Sequence, residues 1–327
     1  MQMAVKPVRW GVISTANINQ AVLAGARESD RVDVVAVASR DQARAEAYAR
    51  RHGIERAYGS YEALLADGDV EAVYISLPNS LHVEWSVRAL EAGLHVLCEK
   101  PLGRVATEVE RAFDAADRAG RFVSEAFMWR HNPQTARLRD VVESGTIGVL
   151  RQIRAAFSFT LDDERNVRLR GELDGGALMD VGCYCVSGSR LLGGEPESVL
   201  GTQVIGRTGV DVRFTGVLQF PGGVTAQFHC GFDLPAESRL EAIGSEGSML
   251  LLDPWHARRP GFEVRRGDRV EWVDVEHANS YRLELENVCD AIRGETELLL
   301  GRDDAVAQAR TIEALYRSAS SARAENP

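Results

Sequence analysis

The first part of the chain alternates short apolar runs with longer stretches in which apolar and polar residues recur at the 3.6-residue period of a helix. The runs predict strands at residues 8–13, 32–38, 72–76, 94–98 and 122–124. Between them the period predicts helices that end near residue 27 and cover residues 41–52, 81–92 and 105–119. Strands that alternate with helices of this length indicate parallel βαβ units. We therefore predict a Rossmann-type, doubly wound parallel sheet.

The pattern changes near residue 151, after a further predicted helix at about 133–144. Apolar and polar residues then alternate in runs joined by glycine and proline turns, as at 151–159, 216–220, 224–230 and 239–243. Such alternation is typical of antiparallel strands with one covered face. Two helices, at about 281–293 and 303–322, close the chain. We predict an α/β protein with a nucleotide-binding domain at residues 1–124 and an α+β domain, built on a large, mostly antiparallel open sheet, at 125–327.

Composition and charge exclude several classes of function. The chain has 327 residues and a formal net charge of −10, which argues against binding to nucleic acid or an anionic membrane. No apolar run approaches the roughly 18 residues of a membrane span, and the start lacks the apolar centre of a secretory leader. Five cysteines without paired spacing indicate reduced, buried thiols and no metal site. We expect a cytoplasmic protein.

The turn after the first strand is the first candidate for cofactor binding. In parallel sheets this turn offers backbone N–H groups and a helix N-terminus to phosphate. Serine and alanine stand where a dinucleotide-binding turn usually has its first two glycines. Small residues still let a phosphate approach, and an ordinary strand-to-helix turn remains the alternative. The candidate residues are Ser14, Thr15, Ala16, Asn17 and Ile18.

The next strand ends suggest which cofactor is bound. The second strand ends in Ser39 and Arg40, where NAD-binding folds usually present a carboxylate. A guanidinium there favours the extra phosphate of NADP. Asp41, one place further on, is more typical of a helix N-cap. The strand ending near residue 76 leads into a second candidate loop, with Leu77, Pro78, Asn79 and His82; a lone histidine of this kind is more often structural than a ligand.

Lys100 is the first candidate for the chemistry. The sequence contains 36 arginines and only two lysines, Lys6 and Lys100. Lys100 follows an apolar strand and precedes a proline, and an ammonium group can be tuned for acid/base chemistry, whereas a guanidinium cannot. A structural ion pair with Glu99 is the alternative.

A second polar cluster follows the glycines at residues 175 and 176. If a helix begins there, Asp180 and Tyr184 lie one turn apart on the same face. A tyrosine with the ordinary pKa near 10 needs a neighbouring cation to exchange protons near neutrality, and Lys100 is the obvious candidate. The alternative is a core helix in which Tyr184 only finds a structural hydrogen-bond partner.

These residues resemble the Gfo/Idh/MocA family, named for glucose-fructose oxidoreductase, inositol dehydrogenase and a rhizopine-catabolism protein. The resemblance covers essentially the whole chain. It depends on Arg9-Trp10-Gly11, on Glu99-Lys100-Pro101 and on the segment 175–182 with Tyr184 after it. Many members have histidine at the position of Tyr184. Tyrosine there is similar to the branch with NADP-dependent xylose dehydrogenases, dimeric dihydrodiol dehydrogenase and nucleotide-sugar 3-ketoreductases.

The resemblance implies an NAD(P)-dependent oxidoreductase that acts on sugars, polyols or related cyclic alcohols, assembled as a homodimer or homotetramer. It implies that Lys100 and Tyr184 carry the proton transfer and that Asp180 orients the substrate. Asn166 and Arg168 are similar to residues that make polar contacts near the substrate. The implied cofactor-lining residues are Pro78, Asn79, His82, Glu99, Trp129 and Arg130.

An NADP-dependent aldose 1-dehydrogenase is the favoured function. The alternative is a nucleotide-sugar 3-ketoreductase of deoxysugar biosynthesis, whose diphosphate substrate would need a basic patch such as Arg165, Arg168 and Arg170. A non-catalytic NADP-binding sensor is the alternative of another class, and the presence of Lys100, Asp180 and Tyr184 argues against it. A zinc site from Cys183, Cys185, His229 and Cys230 is disfavoured, because residues two apart on a helix, or adjacent on a strand, point to different sides.

Overall fold

A computed structural model describes residues 6–327. The expectation about a secretory leader falls partly on residues 1–5, which lie outside the described residues. The described chain divides into two units. The first comprises residues 6–103, 107–131 and 279–306, and the second comprises residues 104–106, 132–278 and 307–327.

The first unit is a six-stranded parallel sheet with helices. The strand order β3-β2-β1-β4-β5-β6 reverses direction between β1 and β4, which is the topological switch point where such sheets bind ligands. Its strands are β1 (Val8–Ile13), β2 (Val32–Ala38), β3 (Arg56–Tyr58), β4 (Ala72–Ile75), β5 (His95–Glu99) and β6 (Val123–Ala126). The helices up to β6 are α1 (Asn19–Arg27), α2 (Gln42–His52), α3 (Tyr61–Leu65), α4 (His82–Glu91) and α5 (Ala106–Ala119).

Helix ends follow from local sequence. Asp41 caps α2 by accepting a hydrogen bond from the Arg44 amide at 2.7 Å, so its predicted capping role is confirmed. The helix ends at Gly53, whose φ of 71° lies in the left-handed region that glycine adopts without strain. Asp41 and Gly53 thus set the two ends of α2.

The second unit is built on an eight-stranded sheet with the order β14-β13-β12-β11-β7-β10-β9-β8. All neighbours are antiparallel except β7 and β10, which run parallel. The strands are β7 (Leu150–Thr160), β8 (Ser198–Ile205), β9 (Asp211–Gln219), β10 (Thr225–Gly231), β11 (Asp233–Gly244), β12 (Ser248–Leu251), β13 (Phe262–Arg266) and β14 (Arg269–Val273). The predicted fold class, a parallel Rossmann-type sheet plus a large, mostly antiparallel sheet, is confirmed.

The remaining helices are α6 (Pro133–Glu143), α7 (Cys183–Gly193), α8 (Ser280–Arg293) and α9 (Arg302–Ser321). Residues 183–190 of α7 are all buried, so this helix covers one face of the second sheet. Helix α8 packs against α1 and shares the core of the first unit through Leu285, Val288 and Cys289. The predicted boundary after residue 124 places α8 in the second domain. Chain order alone does not show that a helix so late in the sequence packs with the first sheet.

The segment that leads into α7 differs from a plain α-helix. Residues Leu178–Gly182 form a π-helical turn, which continues directly into α7. Single π-helical turns inside α-helices are rare in proteins as a whole. Those that occur are often found at functional sites. The expected helix near the glycines is therefore present, with one wider turn that contains Asp180.

Two further features concern chemistry. All five cysteines are reduced thiols and buried, as predicted. Between residues 6 and 327 we find no group of three or more His, Cys, Asp or Glu side chains placed to hold a metal ion. Over the same residues no helix has the length and apolar character to span a membrane.

Candidate active site

Ser14 takes the backbone conformation of the glycine it replaces. Its φ is 119°, a region that residues other than glycine rarely enter and that costs about 1–3 kcal/mol. The Ser14 hydroxyl donates to the Ser76 carbonyl at 3.0 Å and accepts from the Ala16 amide at 3.1 Å. Asn19 is fully buried. Its side-chain NH2 group donates to the Ser14 carbonyl at 3.0 Å, and its side-chain oxygen accepts from the Ser76 hydroxyl at 2.6 Å. This polar network holds the turn in a glycine-like shape.

The start of α1 is suited to bind phosphate. Among the described residues no side chain caps this helix, and its first turn carries no acidic residue. The first three N–H groups of α1 donate to the carbonyls of Ala16, Asn17 and Ile18, so what the helix offers to a phosphate is the positive end of its dipole. Thr15, Ala16 and Ile18 are half-buried and Asn17 is exposed at this entrance. The turn therefore remains the predicted site for a dinucleotide phosphate.

A second arginine joins Arg40 beyond the end of β2. Arg40 is exposed, and the buried Ser39 accepts from the Asp41 amide at 3.4 Å. Burial raises the pKa of Tyr61, while the charges of Arg40 and Arg44 and a hydrogen bond with Arg40 oppose the rise. The charges of Arg40 and Arg44 thus both act on one phenol. Two guanidinium groups near this position suit a ribose phosphate. Arg44 has no signal in the sequence, because it lies inside α2.

The predicted residues after β4 differ in how far they are exposed. Pro78 and Asn79 are half-buried, whereas Leu77 is buried. His82 is 1% exposed, with its ring nitrogens 2.8 Å from the carbonyl oxygens of Pro101 and Leu77. Its ring therefore fastens the loop after β4 to the loop after β5.

The residues that follow β6 are placed in a similar way. Trp129 is 1% exposed, and Arg130, whose guanidinium lies 5.9 Å from the centre of the Trp129 ring, pairs with Asp304 at 3.2 Å. These contacts fix Arg130 within the first unit.

Lys100 lies in a loop that is fixed on both sides. It follows β5, is half-buried and precedes a cis peptide bond to Pro101. On one side, Glu99 accepts a hydrogen bond from the Tyr74 hydroxyl at 2.5 Å. On the other side, the Leu102 amide donates to Glu125 at 2.8 Å, in addition to the Pro101 contact with His82. The backbone at Lys100 is therefore pre-organised, as a residue with a chemical role requires.

Two buried acidic groups lie near this loop and have no signal in the sequence. Glu125, in β6, is 2% exposed, and Glu284, in α8, is also 2% exposed. Burial, and then the nearby charge of Glu99, raise the pKa of Glu284 well above its usual value. Glu284 comes from a segment 184 positions after Lys100 in the sequence, so only the fold could reveal its proximity to Glu99.

In the second unit, Arg168 and Asp180 form a direct pair. The Arg168 Nε atom lies 2.6 Å from an Asp180 carboxylate oxygen. Asn166 caps the short 3-10 helix Val167–Leu169 and accepts from the Arg168 amide at 3.1 Å. Three of the four predicted substrate residues are thus joined in one network, with the carboxylate of Asp180 half-buried.

Tyr184 is held by aromatic packing. It is 7% exposed, and its ring lies edge-on to Phe157 at 5.4 Å and tilted against Trp255 at 5.7 Å between centroids. Phe157 is in β7, and the Trp255 indole donates to the Ala156 carbonyl at 3.1 Å. Edge-on aromatic contacts fix the direction of the ring. The phenol therefore has a defined position at the start of α7.

The structure thus gathers the predicted residues in two groups. The cofactor candidates follow β1, β2, β4, β5 and β6, whose carboxyl ends share one edge of a parallel sheet. The substrate candidates belong to the 3-10 helix, the π-helical turn and the start of α7. A Rossmann sheet and a large open sheet in separate units of one chain are the architecture of a class of nicotinamide-dependent oxidoreductases.

Comparison with known proteins identifies the family. Residues 8–127 match the oxidoreductase family with an NAD-binding Rossmann fold, and residues 135–250 match the GFO/IDH/MocA C-terminal domain. The chain belongs to the Gfo/Idh/MocA oxidoreductase family, so the resemblance predicted from the sequence is confirmed.

Relatives and solved structures cover nearly the whole chain. A D-xylose 1-dehydrogenase (NADP(+)) from Haloferax volcanii is 40% identical over 95% of this chain and 97% of its own. A dTDP-3,4-didehydro-2,6-dideoxy-α-D-glucose 3-reductase from Streptomyces violaceoruber is 37% identical over 82% and 80%. The 3-ketoreductase KijD10 from Actinomadura kijaniata, solved with NADP and TDP-benzene, is 31% identical over 95% and 98%, with a TM-score of 0.90.

Proposed function

We propose that this protein is an NADP-dependent dehydrogenase that oxidises a free aldose at its C1 hydroxyl. The proposal is supported by the near full-length similarity to an NADP-dependent xylose dehydrogenase. It is also supported by Arg40 and Arg44, two cations beside Tyr61 at the end of β2. When bound, NADP supplies the acceptor for the hydride that leaves the carbinol carbon.

The ion pairs of three arginines support a free sugar, rather than a nucleotide sugar, as the substrate. A diphosphate-bearing substrate needs basic side chains that are available to bind phosphate. Arg165 pairs with Asp163 at 3.0 Å, Arg168 pairs with Asp180, and Arg170 pairs with Glu172. Each cation of the candidate basic patch already has a carboxylate partner within its own stretch of chain. The Arg168–Asp180 pair, whose carboxylate is the least exposed of the three, gives the main support for an uncharged sugar, because the two exposed pairs are weak.

In the proposed reaction, the groups of this chain manage one proton and one neighbouring hydroxyl. Tyr184 takes the proton of the C1 hydroxyl as the C–H bond to the hydride breaks. Lys100 stabilises the phenolate form of Tyr184. Asp180, held by Arg168 at 2.6 Å, accepts a hydrogen bond from a second sugar hydroxyl and fixes the ring. Positioned acid/base groups of this kind contribute about 10² to 10⁴ in rate.

A nucleotide-sugar 3-ketoreductase is the second candidate. It is favoured by the similarity to the Streptomyces reductase and to KijD10. The reaction is the same hydride transfer in the opposite direction, and the same side chains would return the proton. The two candidates therefore differ in substrate and in the direction of hydride transfer, and they use the same acid/base groups.

We also propose a homodimer or homotetramer. Leu200 in β8 and Val217 in β9 are directly paired on the open face of the sheet, and both are exposed. Val204, four residues further along β8, lies on the same face and is also exposed. Exposed apolar patches of this kind mark protein–protein contact sites.

The first test is a fluorescence titration with NADPH and NADH, followed by an aldose panel read at the nicotinamide absorbance. We expect tighter binding of NADPH than of NADH and turnover of a pentose or hexose with NADP. Turnover of a dTDP-linked keto sugar, with no activity on any free aldose, would replace the first candidate by the second. Tight binding with no turnover on either class of substrate would indicate a sensor.

Replacing Arg40 with alanine is expected to weaken NADP binding about 10- to 100-fold, because one charge-assisted hydrogen bond to the phosphate is lost. NAD binding should change little, since NAD lacks that phosphate. Arg50→Ala, which removes an exposed arginine of α2 paired with Glu46 at 3.8 Å, is the control. Equal losses for NADP and NAD in the Arg40 variant would contradict the assigned role.

A further inference from the structure

Asp211 is a buried carboxyl that none of the roles above uses. It is the first residue of β9 and is 3% exposed. One of its oxygens accepts from the Leu178 amide at 2.7 Å, and the other accepts from the Tyr316 hydroxyl at 2.9 Å. Buried carboxylates are costly unless they are hydrogen-bonded in this way. The contacts join β9, the π-helical turn and α9.

Leu178 is the first residue of the π-helical turn, where an N–H group has no partner within the helix. Within the described chain, Ala177 at the N-cap supplies no side-chain hydrogen bond. Asp211 supplies it instead, from 33 positions further along the sequence. It therefore acts as a helix cap that comes from a strand, and such a cap stabilises the start of the helix.

Glycines let the segment approach the sheet this closely. Gly176 has a φ of 128°, and a Cβ atom there would contact the Asp211 carboxylate and lie 3.1 Å from the Tyr316 hydroxyl. At Gly182 a Cβ atom would lie 2.7 Å from the Cys230 sulfur in β10. Only glycine fits against Asp211 on one side of the turn and against β10 on the other.

The same turn contains Asp180. Its amide donates to the Gly176 carbonyl at 3.0 Å, and the Gly176 amide donates to the Arg168 carbonyl at 2.8 Å. The backbone that Asp211 fixes is thus bonded to both members of the Arg168–Asp180 pair. Tyr184 follows Asp180 by four residues along a continuous helix. A shift at Leu178 would therefore move both side chains.

The charged and titratable groups around Asp211 are Arg104, Tyr316 and Cys230. The Arg104 guanidinium stacks 4.4 Å from the centre of the Tyr316 ring and pairs with Asp174 at 3.1 Å. Burial raises the pKa of Asp211 to about 6, and the hydrogen bonds from Leu178 and Tyr316 and the charge of Arg104 oppose the rise. Asp211 is therefore ionised at pH 7 to 8, where both oxygens accept.

From these contacts we infer that Asp211 is a positioning residue that sets the π-helical turn so that Asp180 and Tyr184 meet the substrate correctly. The inference rests on the proposed function for its catalytic consequence. The anchoring of the turn itself does not depend on which substrate is used.

Asp211→Ala is expected to lower kcat about 10- to 100-fold, since displacement of catalytic groups by about 1 Å has an effect of this size. NADP affinity should stay unchanged, because the cofactor candidates belong to the first unit. Asp211→Asn should restore most of kcat, because its amide oxygen still accepts from Leu178 and its amide N–H can donate to Tyr316. Asp233→Ala, which removes an exposed partner of Arg213, is the matched control.

Amide hydrogen exchange over residues 176–184 gives a readout that requires no substrate. We expect faster exchange in Asp211→Ala and near wild-type exchange in Asp211→Asn. Unchanged exchange in the alanine variant would overturn the inference whatever the enzyme's substrate. Faster exchange with wild-type kcat would overturn the catalytic part. Absence of aldose turnover in the wild type refutes the proposed function alone, since the exchange experiment still decides whether Asp211 anchors the turn. Tyr316→Phe, which removes a single hydrogen bond to Asp211, should give a smaller effect of the same kind if the alanine variant does not fold.

Discussion

Replacing Lys100 with methionine is expected to lower kcat about 10²- to 10⁴-fold, the range that a positioned acid/base group contributes. NADP affinity should be nearly unchanged. Methionine has a similar length and keeps the apolar stem of lysine, but it carries no charge to stabilise a phenolate. The loop should keep its shape, because Tyr74 holds Glu99, His82 contacts Pro101 and Glu125 binds the Leu102 amide.

Lys6→Met is the matched control, since Lys6 is the one other lysine of the sequence. Lys6 is exposed at the N-terminal end of the described chain, and its loss should leave kcat unchanged. Lys100→Arg separates the role of the positive charge from the role of proton exchange. Arginine keeps the positive charge but cannot give up its proton near neutrality. Wild-type turnover in Lys100→Met would remove Lys100 from the mechanism.

Much of the fold could be predicted because strand and helix periods are local. The runs at 8–13 and 32–38 correspond to β1 and β2, since apolar strands of a parallel sheet are buried on both faces. Short or exposed strands could not be predicted, because such strands form no apolar run. β3 has three half-buried residues, and β14 is almost entirely exposed, so neither leaves an apolar run. The parallel pairing of β7 with β10 depends on chain crossovers that no local pattern records.

In the candidate site, too, some residues could be predicted from local sequence and others could not. The positions of Ser14, Arg40 and Lys100 after strands β1, β2 and β5 could be predicted, because carboxyl ends of parallel strands face one edge. The way Ser14 adopts a glycine-like φ could not, since it requires Asn19 and Ser76, the latter 62 positions away. Asp211 left no signal either, because a cap is recognised in sequence only when it precedes its helix.

Replacing Tyr184 with phenylalanine should likewise lower kcat about 10²- to 10⁴-fold, with little change in stability. The phenyl ring can keep the edge-on contact with Phe157 and the tilted contact with Trp255, so only the hydroxyl is lost. Steady-state kinetics with the aldose identified in the panel, together with thermal unfolding, measures both effects.

Tyr58→Phe is the matched control. It removes a phenol that donates to Asp67 at 2.9 Å in the first unit, outside the proposed chemistry, and kcat should be retained. Turnover in Tyr184→Phe at the level of this control would exclude Tyr184 as the proton acceptor. A large drop in unfolding temperature would instead assign the tyrosine a structural role in the aromatic cluster.

The double variant Lys100→Met, Tyr184→Phe tests whether the two residues act as one unit. If Lys100 works by stabilising the phenolate of Tyr184, its charge has no function once the phenol is gone. The double variant should then be about as slow as the slower single variant, because losses in a shared step do not add. If the two losses multiply instead, each residue contributes independently, and Lys100 acts on the substrate or cofactor rather than on Tyr184.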